Sequence, residues 1–328
     1  MLILGIDTSC DETSAGIVED GLRVKANIIS SQAAVHAQYG GVVPEVASRH
    51  HMEAMIPAVQ AALNESGATK EDLDAIAVTA GPGLAGCLLV GLNTAKSLSY
   101  AWDKPLIAVN HLEGHIYANW LDRDPVPEMP AIILIVSGAH TELVLVRDHG
   151  DYELLGSTRD DAAGEAFDKA ARLLGLGFPG GPLIQRKAAE ASAKPPRLPR
   201  AMLGSSLDFS FSGLKTAVRT MAMEGEVPVA DIAAGFQASV VDVLTKKTRM
   251  AVEQNDVRCV LLSGGVAANG PLRASLQASL PVPVFYPPPI LCTDNGAMIA
   301  AAAYYRAQAG ATGLGLDARP SWPIALLA

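Results

Sequence analysis

The stretch that decides the fold is Leu2-Ile3-Leu4-Gly5-Ile6-Asp7-Thr8-Ser9-Cys10-Asp11-Glu12-Thr13-Ser14. Its apolar opening, residues 2–6, reads as a buried strand, and residues 7–14 read as a polar turn. Residues 15–19 read as a return strand, Asp20-Gly21 as a hairpin turn and residues 23–30 as a third strand. The unit recurs further on. Residues 131–136 predict a strand, Ser137-Gly138-Ala139-His140-Thr141 a polar turn, 142–147 a return strand and 152–157 a third strand. Such a duplication predicts two domains of like topology, with both polar turns aimed into one cleft. The proline-bearing segment 122–130 separates them. We place an N-terminal α/β domain at 1–128 and a second α/β domain at 129–294. A C-terminal segment, 295–328, opens with an alanine-rich helix running to Ala309 and packs back on the first. Helical patterns at 51–63, 88–100 and 232–252 alternate with strands at 73–79 and 259–262, so the class is α/β.

A length of 328 residues suits about two domains. With 49% hydrophobic and 18% charged residues, the chain is a packed globule rather than a disordered one. A net charge of -9 argues against indiscriminate nucleic-acid binding and leaves a local basic patch as the route to such a partner. The candidate is residues 187–200, where Lys187, Lys194, Arg197 and Arg200 accompany three prolines; an exposed basic loop is expected, with Lys215 and Arg219 downstream. Cys10, Cys87, Cys259 and Cys292 form no C-x-x-C pair, so neither a zinc ribbon nor a redox motif is indicated. No apolar run reaches membrane-spanning length and no basic leader precedes Asp7, so the expected setting is cytoplasmic, away from membranes.

The chemistry-bearing stretch is Asn110-His111-Leu112-Glu113-Gly114-His115, after the strand-like run 106–109. Asn110 is a good helix cap, and Glu113 completes a capping-box pattern. His111 and His115 then lie one turn apart on one face, the spacing at which two imidazoles grip a metal ion; chance placement on a helix is the plain alternative. Asp294, just before the last helix, reads equally as its cap and as a third, carboxylate ligand. Glu113 stands two residues from each histidine, not beside the first as in H-E-x-x-H, which removes the base a zinc peptidase needs. Three Gly/Ser/Thr/Asp turns, 7–14, 137–141 and 263–269, follow strands and favour a nucleotide or acyl-nucleotide ligand, although none matches a Walker A or dinucleotide fingerprint. Asp11 and Glu12 read as general bases or as solvated turn residues. His140 reads as a phosphate donor or a turn cap, and His36 and His50 carry no discriminating context.

Taken in order, several segments resemble one family. They are residues 5–13, Gly40-Gly41-Val42-Val43-Pro44-Glu45, Gly81-Pro82-Gly83-Leu84, the histidine stretch, Gly164-Glu165-Ala166-Phe167-Asp168-Lys169, Phe211-Ser212-Gly213-Leu214-Lys215, Ser263-Gly264-Gly265-Val266-Ala267-Ala268-Asn269 and Cys292-Thr293-Asp294-Asn295. The chain is similar to the universal tRNA threonylcarbamoyladenosine synthase subunit, bacterial TsaD type, once called a glycoprotease. The resemblance implies a two-domain actin/Hsp70/sugar-kinase-like fold. It implies one divalent metal ion per subunit, Fe2+ with Zn2+ as the alternative, on His111, His115 and Asp294. It implies transfer of threonylcarbamoyl from threonylcarbamoyl-AMP to the N6 amine of the adenosine beside the anticodon, in tRNAs reading codons that begin with A. Substrate contacts would fall on Ile135, Val136, Ser137, Gly138, Ala139, Asp168, Gly181 and Asn269. Implied partners are tRNA, a shorter paralogous subunit of TsaB type and a small ATPase of TsaE type.

One position departs from the family pattern. Ala139 stands where the family usually has glycine, adding a methyl group at a turn and disfavouring positive φ. Alternative functions are a metallopeptidase, a small-molecule kinase on the same fold, and a non-catalytic scaffold like the shorter paralogue. For the transferase reading, positioning and charge stabilisation are what the protein must add, with Asp11 or Glu12 as candidate acceptor of the amine proton.

Overall fold

The computed structural model describes residues 1–192, 194–202, 204–307 and 310–324. In chain order the elements are β1 (Leu2–Asp7), β2 (Glu12–Glu19), β3 (Arg23–Ser31), α1 (Ala33–Ala37), α2 (Pro44–Ser66), β4 (Ala75–Gly81), α3 (Ala85–Trp102), β5 (Leu106–Asn110) and α4 (His111–Tyr117). There follow β6 (Ala131–Val136), β7 (Thr141–Asp148), β8 (Asp151–Ser157), α5 (Ala163–Leu173), α6 (Gly180–Ala188), α7 (Ser212–Glu224) and α8 (Val229–Gln254). The chain continues through β9 (Cys259–Ser263), a 3-10 turn at Gly265–Ala268, α9 (Gly270–Ser279), β10 (Val284–Phe285), α10 (Pro289–Cys292) and α11 (Gly296–Arg306).

The two sheets repeat one topology. The first has order β3-β2-β1-β4-β5 and the second β10-β9-β6-β7-β8, which is the same order read from the other edge. In each, the first strand pairs antiparallel with its hairpin partner and parallel with the strand delivered by a helix. The Asp20-Gly21 turn closes the β2–β3 hairpin with both residues at positive φ, the geometry that suits a twisted strand pair.

Two compact units result: Met1–Pro127 with His149–Tyr152 and the chain from Ile290 onward, and Glu128–Asp148 with Glu153–Pro289. Against the sequence boundary at 294/295, residues 290–294 belong with the first unit, because Asp294 faces the α4 histidines and Asn295 caps α11. The turn 149–152 also belongs there, since Tyr152 donates to Glu113 at 3.1 Å and His149 stacks on Tyr305 at 3.9 Å. The C-terminal segment is not one helix. After Arg306 it packs back on the first unit as extended chain, with Thr312 N–H donating to Leu106 O and Arg319 N–H to Ala80 O. The expected helix end at Ala309 lies outside the described residues.

The first unit is a sheet between helices, with Leu4, Ile6, Ile17, Val78, Leu88 and Leu92 in one core cluster. On the other face α11 lies directly against β1 and β2. That approach depends on Gly5, Gly16 and Gly296: a Cβ at Gly5 would overlap the Gly296 carbonyl, and one at Gly16 would overlap Ala297 N. Gly114 does the same for α4, where a Cβ would meet Ile299 Cδ1 at 2.8 Å. Small residues therefore set how closely α4 and α11 approach.

Candidate metal and substrate sites

Asn110 caps α4 as its sequence predicts, its Oδ1 accepting the Leu112 N–H at 2.8 Å. His111 and His115 then present one face, their ring centroids 4.7 Å apart. Asp294 Oδ1 lies 3.3 Å from Nε2 of each. The ligand atoms of all three residues fall within 4.8 Å of one another. The cap of α11 is Asn295, whose Oδ1 accepts the Met298 N–H at 2.9 Å. Asp294 is thereby free of capping, which removes that one of its two sequence readings.

The electrostatics of this trio suit a cation. His115 is fully buried, and neither of its ring nitrogens has a hydrogen-bond partner among the described residues. Such orphaned acceptors are costly unless something satisfies them. Burial holds the His115 pKa below its ordinary value, favouring the neutral imidazole a metal requires. Burial opposes charge on Asp294 too, but His111 and His115 outweigh it and keep the carboxyl ionised. Burial also works against the His111 imidazolium, yet the Asp294 and Asp7 carboxylates raise its pKa well above ordinary. Two imidazoles and one carboxylate in a buried cluster thus fit a divalent ion with coordination positions left open.

Asp7 and Ser9 are the residues the sequence reading missed. Ser9 Oγ and Asp7 Oδ2 each lie 3.2 Å from His111 Nδ1, the nitrogen turned away from Asp294. An outer partner of this kind fixes tautomer and ring orientation. The signal was present, since Asp7 ends β1 beside the parallel strand that leads to β5, but register is needed to bring it to His111. His51 was likewise missed, and His36, which had no discriminating context in the sequence, gains one here. Both are buried; His51 bridges Thr13 and the Cys10 carbonyl, and His36 bonds Gln32, so they hold the turn between β1 and β2.

Of the expected proton acceptors, Glu12 opens β2 and accepts from Ser31 Oγ at 3.2 Å. Burial and the charges of Asp294 and Asp11 push its carboxyl up to about 9. Asp11 is half-buried beside it. Glu113 is taken up by the scaffold: burial raises its carboxyl pKa, opposed by Arg306 at 2.8 Å, Tyr152 at 3.1 Å and the Asn110 N–H, all of which its oxygens accept from.

The remaining expected residues lie in the second unit. Ile135 and Val136 end β6, and the Ser137–His140 turn follows, Ser137 Oγ accepting the Ala139 and His140 N–H groups. Gly164 and Gly264 flank the turn; a Cβ on either would overlap the backbone of 136–137. Gly138 and Gly181 instead face open space. Ala139 is exposed and is not among the residues at positive φ, so its methyl group meets no backbone conflict. Gly181 sits in the first turn of α6. Asp168 Oδ1 accepts the Gly180 N–H at 2.7 Å and anchors that helix start. Asn269 caps α9 through Leu272 N–H and donates to Gln237 Oε1 at 2.9 Å, so its side chain also serves the scaffold. These groups gather at the carboxyl ends of the parallel strands β6 and β9, the usual ligand position in open α/β sheets.

A family model described as TsaD, tRNA N6-adenosine threonylcarbamoyltransferase, matches residues 23–301. A protein of Thermomicrobium roseum named tRNA N6-adenosine threonylcarbamoyltransferase is 56% identical, covering 99% of this chain and 97% of its own length. Among solved structures, component A of the Acidaminococcus fermentans (R)-2-hydroxyglutaryl-CoA dehydratase aligns with TM-score 0.59 at 18% identity, over 94% of this chain and 99% of that one. Full-length HypF in its phosphate- and nucleotide-bound form aligns with TM-score 0.64 at 15% identity, over 94% of this chain and 56% of that one. The fold is actin/Hsp70/sugar-kinase-like.

Proposed function

Because the chain belongs to the TsaD family of tRNA N6-adenosine threonylcarbamoyltransferases, we propose that its His111, His115 and Asp294 hold the single metal ion of a tRNA-modifying acyl-type transferase. The enzyme forms threonylcarbamoyladenosine (t6A) on tRNA. Our reading of the finer chemistry is that threonylcarbamoyl-AMP is the donor and that the acceptor adenosine lies beside the anticodon, in tRNAs reading codons that begin with A. The ion is Fe2+, with Zn2+ the alternative. A shorter TsaB-type paralogue and a small TsaE-type ATPase work with it, in the cytoplasm. No helix among the described residues is long and apolar enough to cross a membrane.

The observation that carries the metal assignment is Asp294 Oδ1 at 3.3 Å from both Nε2 atoms, with Asn295 doing the capping. When bound, a divalent ion there supplies Lewis-acid charge for a donor oxygen. The rest falls to the chain's own groups. The N6 amine attacks the carbamoyl carbon, the bond from that carbon to the AMP oxygen breaks, and the amine proton is lost. Of the two expected acceptors, Asp11 takes that proton, since Glu12, its carboxyl pushed up to about 9, is already protonated at neutral pH and is held by Ser31. Ile135 to Ala139, Asp168, Gly181 and Asn269 hold the donor, the open backbone at Gly138 and Gly181 allowing close approach. Glu113, engaged by Arg306 and Tyr152, leaves the peptidase reading without a base.

The test is reconstitution with tRNA, threonylcarbamoyl-AMP, ATP and the partner proteins, read by nucleoside mass spectrometry. Wild type should form t6A, and His111→Ala should lose both bound metal and product. Full product from metal-free His111→Ala would remove the metal from the reading.

A further inference from the structure

A cavity of about 520 Å3 lies in the second unit, with Arg197, Arg200, Gln237, Ala238, Pro271 and Ser275 in its lining. The segment carrying the two arginines is largely exposed and irregular, as its composition suggests, but it is anchored. Leu198 is 2% exposed, and its carbonyl accepts from Ser239 Oγ at 3.2 Å on α8. Arg200 pairs with Asp242 at 2.7 Å and bonds the Leu198 carbonyl at 3.0 Å. Gly235 lets the chain come closer still, since a Cβ there would overlap the Pro196 carbonyl. Residues 196–200 are therefore clamped along α8.

The clamp sorts the charges. Asp242 is shared by Arg200 at 2.7 Å and Lys246 at 2.9 Å, so this cluster keeps a net positive charge. Lys187 is paired with Glu190 at 2.6 Å. Arg197 is exposed and makes no ion pair among the described residues. One uncompensated guanidinium thus stands over a wall of Ala238 and Pro271, on a chain whose net charge is -9. Gln237 Oε1 is taken by Asn269, leaving its amide nitrogen as the group it offers. A guanidinium on a fixed base matches a phosphate, and a flat apolar wall edged by an amide and a hydroxyl matches a nucleobase.

We propose that this cavity takes a single nucleotide of the tRNA substrate, with its phosphate on Arg197, and so forms part of the tRNA-docking face. The proposal rests on the tRNA-modifying reading above. A polynucleotide is the occupant because the family's substrate, tRNA, brings phosphate and base together, and on a chain of net charge -9 a local basic group is where such a polyanion can dock.

The experiment measures tRNA affinity of the reconstituted complex across a salt series for wild type, Arg197→Ala, Arg197→Lys and Ala238→Trp, with AMP binding measured alongside. Arg197→Ala should weaken tRNA binding and lower the slope of log affinity against log salt by about one. Arg197→Lys should keep the slope, and Ala238→Trp, which fills the cavity without touching charge, should weaken binding. Unchanged affinity and slope in both Arg197→Ala and Ala238→Trp overturns the proposal. So does loss of AMP binding in Arg197→Ala with tRNA affinity intact, which would mark a free-mononucleotide site. Wild-type t6A synthesis in the same mixture separates the two ideas: product with unmoved variants discards only the cavity, whereas no product discards the function.

Discussion

Asp7 shows how much of a metal site sits one step behind its ligands. It touches no candidate ion position, yet its carboxylate stands 3.2 Å from His111 Nδ1 and helps set which nitrogen faces Asp294. Asp7→Asn should weaken metal affinity about 10–100-fold, the usual loss for such a partner; chelator competition measures it, and an unchanged affinity would leave orientation to Ser9 alone. Glu142 is a different case. Its Oε2 is buried without a hydrogen-bond partner among the described residues, and burial pushes its carboxyl up from the ordinary 4.5 to about 7. The folded pKa lies above the unfolded one, so folding takes up a proton. This group's contribution is most favourable below pH 4.5 and declines as pH rises to about 7. Glu142→Gln keeps the shape and removes the charge. It should stabilise the protein at pH 8 relative to pH 5 by on the order of 2–3 kcal/mol, at about 1.4 kcal/mol per pKa unit. Urea unfolding at the two pH values checks it, and equal shifts at both would reject the assignment.

At the scale of elements, the site depends on how α11 meets its neighbours. The helix lies on the sheet because Gly5, Gly16 and Gly296 leave no side chains between them, and α4 meets it across Gly114. That geometry delivers Asp294 to the histidines. Asn295 is the second requirement, because it satisfies the first N–H groups of α11 and spares the preceding carboxylate. Asn295→Ala should cost about 1 kcal/mol of stability. It should also weaken metal binding, by about fivefold if Asp294 is drawn to the empty cap with similar energy. Thermal unfolding and metal titration read the two effects separately, and a stability loss with unchanged metal affinity would show that Asp294 does not compete for the cap. The basic segment teaches the same lesson. Its composition predicted an exposed loop, and most of it is exposed; what composition did not show is that Leu198, Gly235 and the Arg200–Asp242 pair anchor it on α8.

In the whole molecule, one topology is used twice for different chemistry. Both sheets place polar turns at the ends of parallel strands, but only the first unit carries His111, His115 and Asp294, and only the second carries the open turns at Gly138 and Gly181. Since every candidate ligand lies in one unit, a bound ion stabilises that unit directly. At 100 times its dissociation constant it adds about 2.7 kcal/mol. Calorimetry with and without a divalent ion should therefore move the transition of the first unit and leave that of the second in place. Equal movement of both would mean that the units unfold as one.

The sequence alone determined the duplicated strand unit, the α4 cap and the histidine spacing. Each is local: hydrophobic period, capping chemistry and helical pitch act within a few residues, and Leu2 to Glu19 and Asn110 to His115 state them directly. Family resemblance then tied scattered motifs to one reaction. Tertiary structure decided what depended on residues distant in the chain. Asp294 is a ligand candidate rather than a cap because a neighbour takes the capping role, and Glu113 is held by Arg306, almost two hundred positions away. Asp7 reaches His111 only through sheet register, and Ala139 is harmless because its backbone stays out of the positive-φ region. Arg197 stands without an ion pair over a cavity because packing fixed its base while Arg200 was drawn to Asp242. Local pattern names the residues that can act, but competition among neighbours for each hydrogen bond and each charge leaves particular ones free to do so.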